Sequence, residues 1–265
     1  MANSEKGAAL ITGASSGIGA IYADRFARRG HDLVLVARDK ARLEDLAKRL
    51  RADYHVQVDV LKADLTEAGD LAQVEERLRR DERIDLLVNN AGAAVSGGFV
   101  DGDLEAQDRL IRLNVTAVTR LAHVIAPRLA EQGAGAIINI ASVVAVAPEF
   151  FTGIYPATKA YVLAFSQSLQ LELGPKGVYV QAVLPAATRT EIWERSGRPI
   201  AQVEATTPVM GVEELVDAAL VGFDRKELVT IPSLPDEAQW RAFDAARQAM
   251  LPNFGQHHAA ARYRA

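Results

Sequence analysis

Tyr155 and Lys159 are the first pair of side chains whose types and spacing suit acid–base chemistry. On a helix, residues four apart lie on one face, about one turn from each other. A free phenol titrates near pH ~10, and a nearby positive charge favours its deprotonated form. Lowering that pKa to ~7–8 would require ~3–4 kcal/mol of differential stabilisation, part of which Lys159 could supply. The same spacing also occurs on ordinary surface helices, so a catalytic interpretation needs support from other motifs.

A glycine-rich turn at residues 12–19 follows the first apolar run of the chain. Glycine permits a tight turn between a strand and a helix, and it lets a diphosphate approach the backbone at the helix N-terminus. The spacing is Gly-x-x-x-Gly-x-Gly rather than the commoner Gly-x-Gly-x-x-Gly. The turn therefore predicts a dinucleotide site, whose contacts would come from Gly13, Ser15, Ser16, Gly17, Ile18 and Gly19.

The same turn also fits the Gly-x-Ser-x-Gly pattern of a hydrolase nucleophile elbow, with Ser15 as the nucleophile. That alternative needs an acid and then a histidine further along the chain. None of the later histidines follows an obvious core strand, and an elbow on the very first strand would be unusual. A serine hydrolase that uses Ser15 is therefore the weaker hypothesis.

The end of the second predicted strand bears on the choice of dinucleotide. An acidic residue there would bind the ribose 2′-hydroxyl of NAD, whereas an arginine would accommodate the 2′-phosphate of NADP. Here the strand ends at Ala37, and Arg38 follows. Asp39 is an alternative partner for Arg38, and Ser15 could add a contact to the phosphate. We predict NADP as the cofactor, with NAD possible.

The composition is that of an ordinary globular domain: 265 residues, 49% hydrophobic, 24% charged and a net charge of −4. The charge offers no basic surface for nucleic acid and no polybasic membrane signal. The longest apolar stretch, 136–147, is too short to span a bilayer. The chain has no cysteine, which excludes disulfides and thiolate metal sites. We predict no metal site, no membrane or nucleic-acid partner, and a cytoplasmic location.

Apolar runs alternate with helical patterns along most of the chain, which indicates a parallel sheet covered on both faces. Right-handed crossovers then give an α/β, doubly wound Rossmann fold with seven strands in one domain. The predicted strands are 8–12, 32–37, 56–60, 85–88, 137–141, 178–184 and 228–231, and the predicted helices are 17–29, 40–51, 68–80, 104–130, 156–173 and 213–223.

From residue 8 to residue 231 the chain resembles the short-chain dehydrogenase/reductase family, in its single-domain branch. The resemblance rests on the order and spacing of several motifs: 12–19, Asp64-Leu65, 89–92 (Asn-Asn-Ala-Gly), Asn114, Ser142, and Tyr155 with Lys159. It implies an oxidoreductase that interconverts a carbonyl and a secondary alcohol by hydride transfer. A nucleotide-binding relative without catalytic activity is the alternative.

The resemblance also implies roles for four catalytic residues. Tyr155 would be the general acid/base, with its pKa lowered by Lys159 together with an oxidised nicotinamide. Ser142 would bind and orient the substrate oxygen. Asn114 would lie at an irregularity of the long helix and hold a water that links Lys159 to bulk solvent.

Further cofactor contacts are implied for residues outside the glycine turn. The set is Asp64 and Leu65 at the adenine, Asn90, Ala91 and Gly92 at the adenosine ribose, Tyr155 and Lys159, and Pro185, Thr188 and Thr190 near the nicotinamide. At position 186 the family usually has glycine, and this chain has Ala186. If that glycine has positive φ in relatives, alanine would cost ~1 kcal/mol or move the loop.

The remaining expectations concern the substrate and assembly. Residues 1–232 are predicted to form the Rossmann-type domain with a substrate lid near 190–211, and residues 233–265 a tail with a helix at 236–250. The residues that select a small carbonyl or alcohol substrate should lie in the lid and at 95–100 and 143–151. The resemblance implies a homodimer or homotetramer.

Overall fold

The computed structural model describes residues 6–95 and 97–264. Residues 1–5 and 265, together with residue 96 of the substrate-contact range predicted at 95–100, lie outside the described residues. The chain divides into two compact units between Pro232 and Ser233.

Seven parallel strands form the sheet of the first unit, in the order β3-β2-β1-β4-β5-β6-β7. This arrangement confirms the predicted doubly wound fold. The strands are β1 (Ala8–Thr12), β2 (Asp32–Ala37), β3 (Val58–Lys62), β4 (Ile84–Asn89), β5 (Ala136–Ile140), β6 (Tyr179–Val183) and β7 (Val229–Thr230). The last strand has only two residues, against the four predicted, and β3 begins two residues later than its apolar pattern indicates.

Helices cover both faces of this sheet. The α-helices of the first unit are α1 (Gly17–Arg28), α2 (Lys40–Tyr54), α3 (Ala68–Arg80), α4 (Leu104–Ile111), α5 (Val118–Gln132), α6 (Tyr155–Leu173), α7 (Ile192–Arg195), α8 (Ile200–Glu204) and α9 (Val212–Asp224), and α10 (Glu237–Gln248) belongs to the second unit. The single long helix predicted at 104–130 is instead α4 and α5 joined by a π-helical segment, Arg112–Ala117. The segment predicted to form a substrate lid, 190–211, contains the two short helices α7 and α8.

The two faces of the sheet bury separate apolar clusters. Successive side chains of a strand point to opposite faces, so in β1 Ala9 and Ile11 join one cluster, whereas Ala8 and Leu10 join the other. All five residues of β1 are buried, which explains why its sequence is a continuous apolar run rather than an alternating one.

The strand order reverses between β1 and β4, because β2 and β3 continue to one side of β1 and β5 to β7 continue beyond β4. Ligands of open α/β sheets bind in the crevice outside the carboxyl ends of the strands at such a point. The glycine turn follows β1 and the 89–92 motif follows β4, so both predicted cofactor elements border this crevice.

A buried chain of polar side chains fixes β4, β5 and α6 relative to one another. Asn89 Nδ2 donates to Asn139 Oδ1 at 3.0 Å, and Asn139 Nδ2 donates to Ser166 Oγ at 2.9 Å. Buried polar groups with partners rigidify a core, and a broken link would leave one of them unsatisfied. The helix that carries Tyr155 and Lys159 is thus held to the central strands.

The second unit contains α10, where the tail helix was predicted. Asp236 caps its N-terminus by accepting a hydrogen bond from Ala238 N at 2.8 Å, and Trp240 stacks on Phe243 with 5.4 Å between ring centroids. Across the described residues of both units, no helix is long and apolar enough to cross a membrane.

Candidate active site

Tyr155 and Lys159 lie on the first turns of α6 and face the same space. The Lys159 Nζ atom is 5.8 Å from the centroid of the Tyr155 ring. Pro156 occupies the first turn of this helix, where no intrahelical N–H bond is lost. The Lys159 side chain is buried, and its ammonium donates to the carbonyl of Ile140 at the end of β5, at 2.9 Å. The structure therefore brings the predicted acid–base pair together.

The surroundings shift the pKa values of Tyr155 and Lys159 in the directions that favour the neutral phenol and the neutral amine. Desolvation raises the pKa of Tyr155 to about 12, and the neighbouring Ser142 hydroxyl acts in the opposite direction. Desolvation also lowers the pKa of Lys159 from 10.5 to about 8. The sequence analysis expects Lys159 and an oxidised nicotinamide together to lower the pKa of the Tyr155 phenol. The protein groups alone do not lower it. They hold the phenol protonated at neutral pH, in the form that can give a proton to a carbonyl oxygen.

Ser142 lies two residues beyond the end of β5 and is buried. Its hydroxyl donates to the carbonyl of Pro185 at 3.2 Å and accepts a weak hydrogen bond from Val144 N at 3.4 Å. The backbone of Val143 donates to the same Pro185 carbonyl at 3.0 Å. These bonds connect the loop after β5 to the loop after β6, so the serine is held in place beside Tyr155.

Asn114 lies in the π-helical segment between α4 and α5, at the irregularity that was predicted for it. Its side chain donates to the carbonyl of Ala93 and to Thr158 Oγ1, at 3.0 and 3.1 Å, and accepts from Ala93 N at 3.0 Å. A Cβ added at Gly92 would lie 3.4 Å from Asn114 Oδ1 and 3.5 Å from Lys159 Nζ. Asn114 therefore adjoins Lys159, while the predicted water relay stays a prediction.

The glycine turn after β1 has backbone conformations and close contacts that require glycine. Gly13 and Gly17 both have positive φ, at 66° and 55°, a conformation that strains other residues. A Cβ on Gly19 would lie 2.4 Å from the carbonyl oxygen of Gly13. Ser16 caps α1 without a side-chain hydrogen bond, and the first turn of the helix contains no acidic residue. The N–H groups of Gly17, Ile18 and Gly19 open the helix, where such groups lack intrahelical partners.

Thr12 connects the two loops of the crevice and was not among the predicted contacts. Its hydroxyl donates to the carbonyl of Val88 at 3.2 Å and accepts from both Asn90 N and Ala91 N at 3.0 Å. The Asn90 amide donates back to the Thr12 and Gly13 carbonyls at 2.8 and 3.2 Å. In the sequence, the signal for this role is a hydroxyl side chain at the end of an apolar strand. Its partners could not be identified without knowing that β1 pairs with β4.

Arg38 is mostly exposed at the end of β2 and lies 3.8 Å from Asp64, which follows β3. The alternative partner Asp39 is engaged elsewhere, since it caps α2 by accepting from Arg42 N at 3.1 Å. The Asp64 carboxylate accepts from Thr66 N and Thr66 Oγ1, at 3.0 and 2.7 Å, and Leu65 beside it is buried. The structure thus places Arg38, Asp64 and Leu65 next to one another.

The loop after β6 reaches back over the glycine turn. A Cβ on Gly17 would lie 3.3 Å from the Thr190 methyl carbon. Thr188 is buried, and its hydroxyl donates to the carbonyl of Ala186 at 2.9 Å. Among the described residues, positive φ outside glycine occurs only at His55 and Lys226. Ala186 therefore adopts an ordinary conformation, and the strain considered for this position does not arise.

The lid segment is tied down at several points. Trp193 Nε1 donates to the carbonyl of Thr188 at 2.8 Å, and Val203 is buried. Glu191 accepts two hydrogen bonds from Arg42 Nη1, at 2.7 and 2.9 Å. This ion pair joins the lid to α2, next to the turn that carries Arg38.

The hydrolase alternative finds no support in this geometry. Ser15 follows β1 at the carboxyl edge of the sheet, whereas His31 precedes β2 at the opposite edge. His123 is exposed on α5. Within the described ranges, 6–95 and 97–264, no histidine forms a hydrogen bond with Ser15. The same described residues hold no group of three metal-ligating side chains.

The chain matches the short chain dehydrogenase family over residues 7–200. A short-chain dehydrogenase from Sphingobium yanoikuyae, solved in complex with NADPH, is 62% identical. The two structures superpose with a TM-score of 0.93, over 97% of this chain and 100% of that one.

Two further relatives widen the comparison. A bulky-bulky ketone specific alcohol dehydrogenase from Comamonas testosteroni is 57% identical, with a TM-score of 0.89 over 97% of this chain and 98% of that one. A very-long-chain 3-oxoacyl-CoA reductase-A from Danio rerio is 34% identical over 190 residues. That match covers 69% of this chain and 59% of the zebrafish protein.

Proposed function

The chain belongs to the short-chain dehydrogenase/reductase family, and we propose that it is an NADP-dependent oxidoreductase that interconverts a ketone and a secondary alcohol. The proposal rests above all on the position of Tyr155 and Lys159, which face each other beside the crevice at the strand-order reversal. The NADPH complex of the Sphingobium relative supports the choice of cofactor.

The residues around the crevice fit an NADP molecule. Gly13 and Gly17 have the backbone conformation that a tight diphosphate turn requires. The uncapped N-terminus of α1 offers free N–H groups and the positive end of the helix dipole to an anion. Arg38 presents an exposed guanidinium beside Asp64, where a 2′-phosphate would meet it. When bound, the reduced nicotinamide supplies the hydride and is oxidised to NADP⁺.

The side chains at the reacting centre bind the substrate and handle its proton. Ser142 would turn its hydroxyl proton from the Pro185 carbonyl to the carbonyl oxygen of the substrate and hold that oxygen near the Tyr155 hydroxyl. Tyr155, held protonated by its surroundings, would donate the phenolic proton to that oxygen as the carbon receives the hydride. The Lys159 ammonium would stabilise the resulting phenolate. In the alcohol-oxidising direction each proton step is reversed.

Exposed apolar side chains support the proposal of a large, hydrophobic substrate. Phe99 and Phe150 are 65% and 75% exposed, and Val100 is 90% exposed. Phe151 packs on the Tyr155 ring, with 4.9 Å between centroids. The Comamonas relative is described as specific for bulky-bulky ketones. We therefore propose a ketone with two sizeable apolar substituents as the substrate class.

A panel of such ketones, followed at the nicotinamide absorbance, tests the function directly. Oxidation of NADPH that depends on a ketone would support it. A protein that binds NADPH but reduces no member of the panel would favour the catalytically inactive alternative, and one that binds neither nucleotide would contradict the proposal. The homo-oligomeric state and the cytoplasmic location stay predictions.

Arg38→Asp is expected to shift the cofactor preference from NADPH towards NADH by about 10- to 100-fold, because it exchanges a charge-assisted contact for repulsion of the 2′-phosphate. The ratio of kcat/KM for the two cofactors measures the shift. Arg28→Asp, a charge reversal at an exposed position of α1, is the matched control. An unchanged ratio would remove Arg38 from this role.

Glu191→Gln is expected to raise the KM for NADPH by at most about fivefold, because an exposed ion pair contributes only about 0.2–1 kcal/mol. The substitution weakens the link between the lid and Arg42. High salt should reduce the difference between variant and wild type by screening the pair. Glu213→Gln, at the exposed start of α9, serves as the control, and an equal KM at low salt would argue against a lid held by this pair.

A further inference from the structure

The first turn of α6, where Tyr155 lies, receives little support from the helix itself. The N-cap residue is Ile154, whose aliphatic side chain cannot accept a capping hydrogen bond, and Pro156 has no backbone N–H to donate. The initial N–H groups of a helix lack intrahelical partners, and helix ends fray. The position of the proposed proton donor therefore depends on contacts from outside α6.

Thr158, one turn along α6, makes such a contact. Its hydroxyl donates to the Tyr155 carbonyl at 2.8 Å and accepts from Asn114 Nδ2 at 3.1 Å. Thr158 and Asn114 are only 3% and 1% exposed, so both lie away from bulk solvent. A helical threonine often bonds to its own preceding turn, but here the same oxygen also receives a bond from another helical segment. The backbone of Tyr155 is thereby joined to the π-helical segment that contains Asn114.

The partners of the Asn114 amide fix its orientation. A backbone N–H can only donate, so Ala93 N holds the amide oxygen at 3.0 Å, and the Ala93 carbonyl receives one amide hydrogen, also at 3.0 Å. The single proton of the Thr158 hydroxyl is used on the Tyr155 carbonyl, so this hydroxyl can only accept the second amide hydrogen. Both amide hydrogens are therefore committed, and the oxygen is the atom that borders the space next to Lys159.

We propose that Thr158 is a positioning residue for carbonyl reduction, whose hydroxyl ties the first turn of α6 to Asn114. The inference rests on the proposed function and adds to it a residue that acts through its neighbours, because the link holds Tyr155 and Lys159 at their working positions. A displacement of about 1 Å at a reacting group can cost about 100-fold in rate. Loss of the link should therefore affect turnover more than cofactor binding.

Thr158→Val tests the link directly, because valine keeps the branched shape of threonine and removes the hydroxyl. We expect kcat for ketone reduction to fall about 10- to 100-fold, while the KM for NADPH changes by less than about threefold. Thr158→Ser keeps the hydroxyl and should retain at least about half of the wild-type kcat. An equal loss of kcat in the serine variant would show that the methyl group matters rather than the link, and would overturn the inference.

Ser166→Ala is the matched control, since Ser166 makes the same pattern of bonds further along α6. Its hydroxyl accepts from Asn139 Nδ2 at 2.9 Å and donates to the Val162 carbonyl at 2.7 Å, and the residue is fully buried. Removal of either hydroxyl leaves a buried amide hydrogen unpaired, so Ser166→Ala and Thr158→Val should lower the unfolding temperature by similar amounts. Only Thr158→Val should lower kcat. Equal losses of kcat in the two variants would show a general effect on α6 and would overturn the inference.

A double-mutant cycle with Asn114→Leu tests whether Thr158 acts through Asn114. Asn114→Leu alone should lower kcat, and the addition of Thr158→Val should then change it by less than about threefold, since the bond is already absent. A further fall as large as in the wild-type background would show that Thr158 acts independently, and would overturn the inference.

Thr158→Ala, which introduces no methyl group in place of the hydroxyl, takes the place of Thr158→Val if that variant does not fold, as judged by thermal unfolding and NADPH binding. If neither variant folds, Thr158 is needed for the fold itself and the inference is overturned.

The outcomes separate this inference from the proposed function. A wild type that binds NADPH but reduces no ketone would contradict the proposed function, and this inference with it. A wild type that reduces ketones, together with a folded Thr158→Val of unchanged kcat, would overturn the inference alone.

Discussion

Tyr155→Phe is expected to lower kcat for ketone reduction by about 100- to 10,000-fold, the usual contribution of a positioned general acid. The substitution removes the proton that the carbonyl oxygen must receive and leaves the ring that packs on Phe151. NADPH binding should be largely retained, because the glycine turn and Arg38 lie on other elements. Steady-state kinetics and fluorescence titration with NADPH measure the two effects separately.

Tyr161→Phe is the matched control for this change. Tyr161 lies on the same helix, and its hydroxyl is 2.7 Å from Thr119 Oγ1, outside the crevice. The control should keep its activity. Wild-type turnover in Tyr155→Phe would refute the proton-donor assignment, whereas a loss of NADPH binding together with turnover would indicate a structural defect instead.

The sequence predicts the facing of Tyr155 and Lys159 well, because it depends only on helical spacing and on the strand–helix pattern around residue 155. The pKa of the Tyr155 phenol could not be predicted from the sequence. That value depends on desolvation, which packing of neighbouring loops creates. A motif specifies which groups meet, whereas the electrostatic environment depends on everything that excludes water from them.

Contacts between residues at the ends of neighbouring strands could not be predicted from the sequence either. Arg38 and Asp64 are far apart in sequence, and their approach to 3.8 Å depends on the pairing of β2 with β3. From the sequence alone, Asp39 was an alternative partner for Arg38, and only the structure shows that it caps α2 instead.

Gln107 shows a different limit of sequence patterns. A glutamine on an amphipathic helix normally marks the solvated face, and nothing in the spacing of α4 indicates that residue 107 is buried. Gln107 is 7% exposed, and a Cβ added at Gly102 of the preceding loop would lie 2.4 Å from its Nε2, so this loop approaches the helix closely.

Lys159→Met is expected to reduce kcat/KM by about 100- to 1,000-fold, similar to the loss of one preorganised electrostatic group. Methionine fills a similar volume but cannot stabilise the phenolate. The wild-type rate of ketone reduction should also fall as the pH rises through about 8, because Lys159 then loses its proton. The pH profile of kcat/KM measures this decline, which Lys159→Met should lack and Lys176→Met, at an exposed position, should retain.

Lys159→Met should lower the activity without lowering the free energy of unfolding. The pKa of Lys159 falls from 10.5 to about 8, so burial of the charged form costs the folded protein about 3 kcal/mol. This cost is present below pH 8 and fades as the pH rises to 10.5, where the unfolded lysine also loses its proton. At neutral pH, Lys159→Met should therefore be at least as stable as the wild type in denaturant unfolding, and the difference should shrink at alkaline pH. A charge that is kept at a net cost to stability is explained by the reaction it serves. If Lys159→Met instead lost stability along with turnover, the lysine would be needed to hold the fold together.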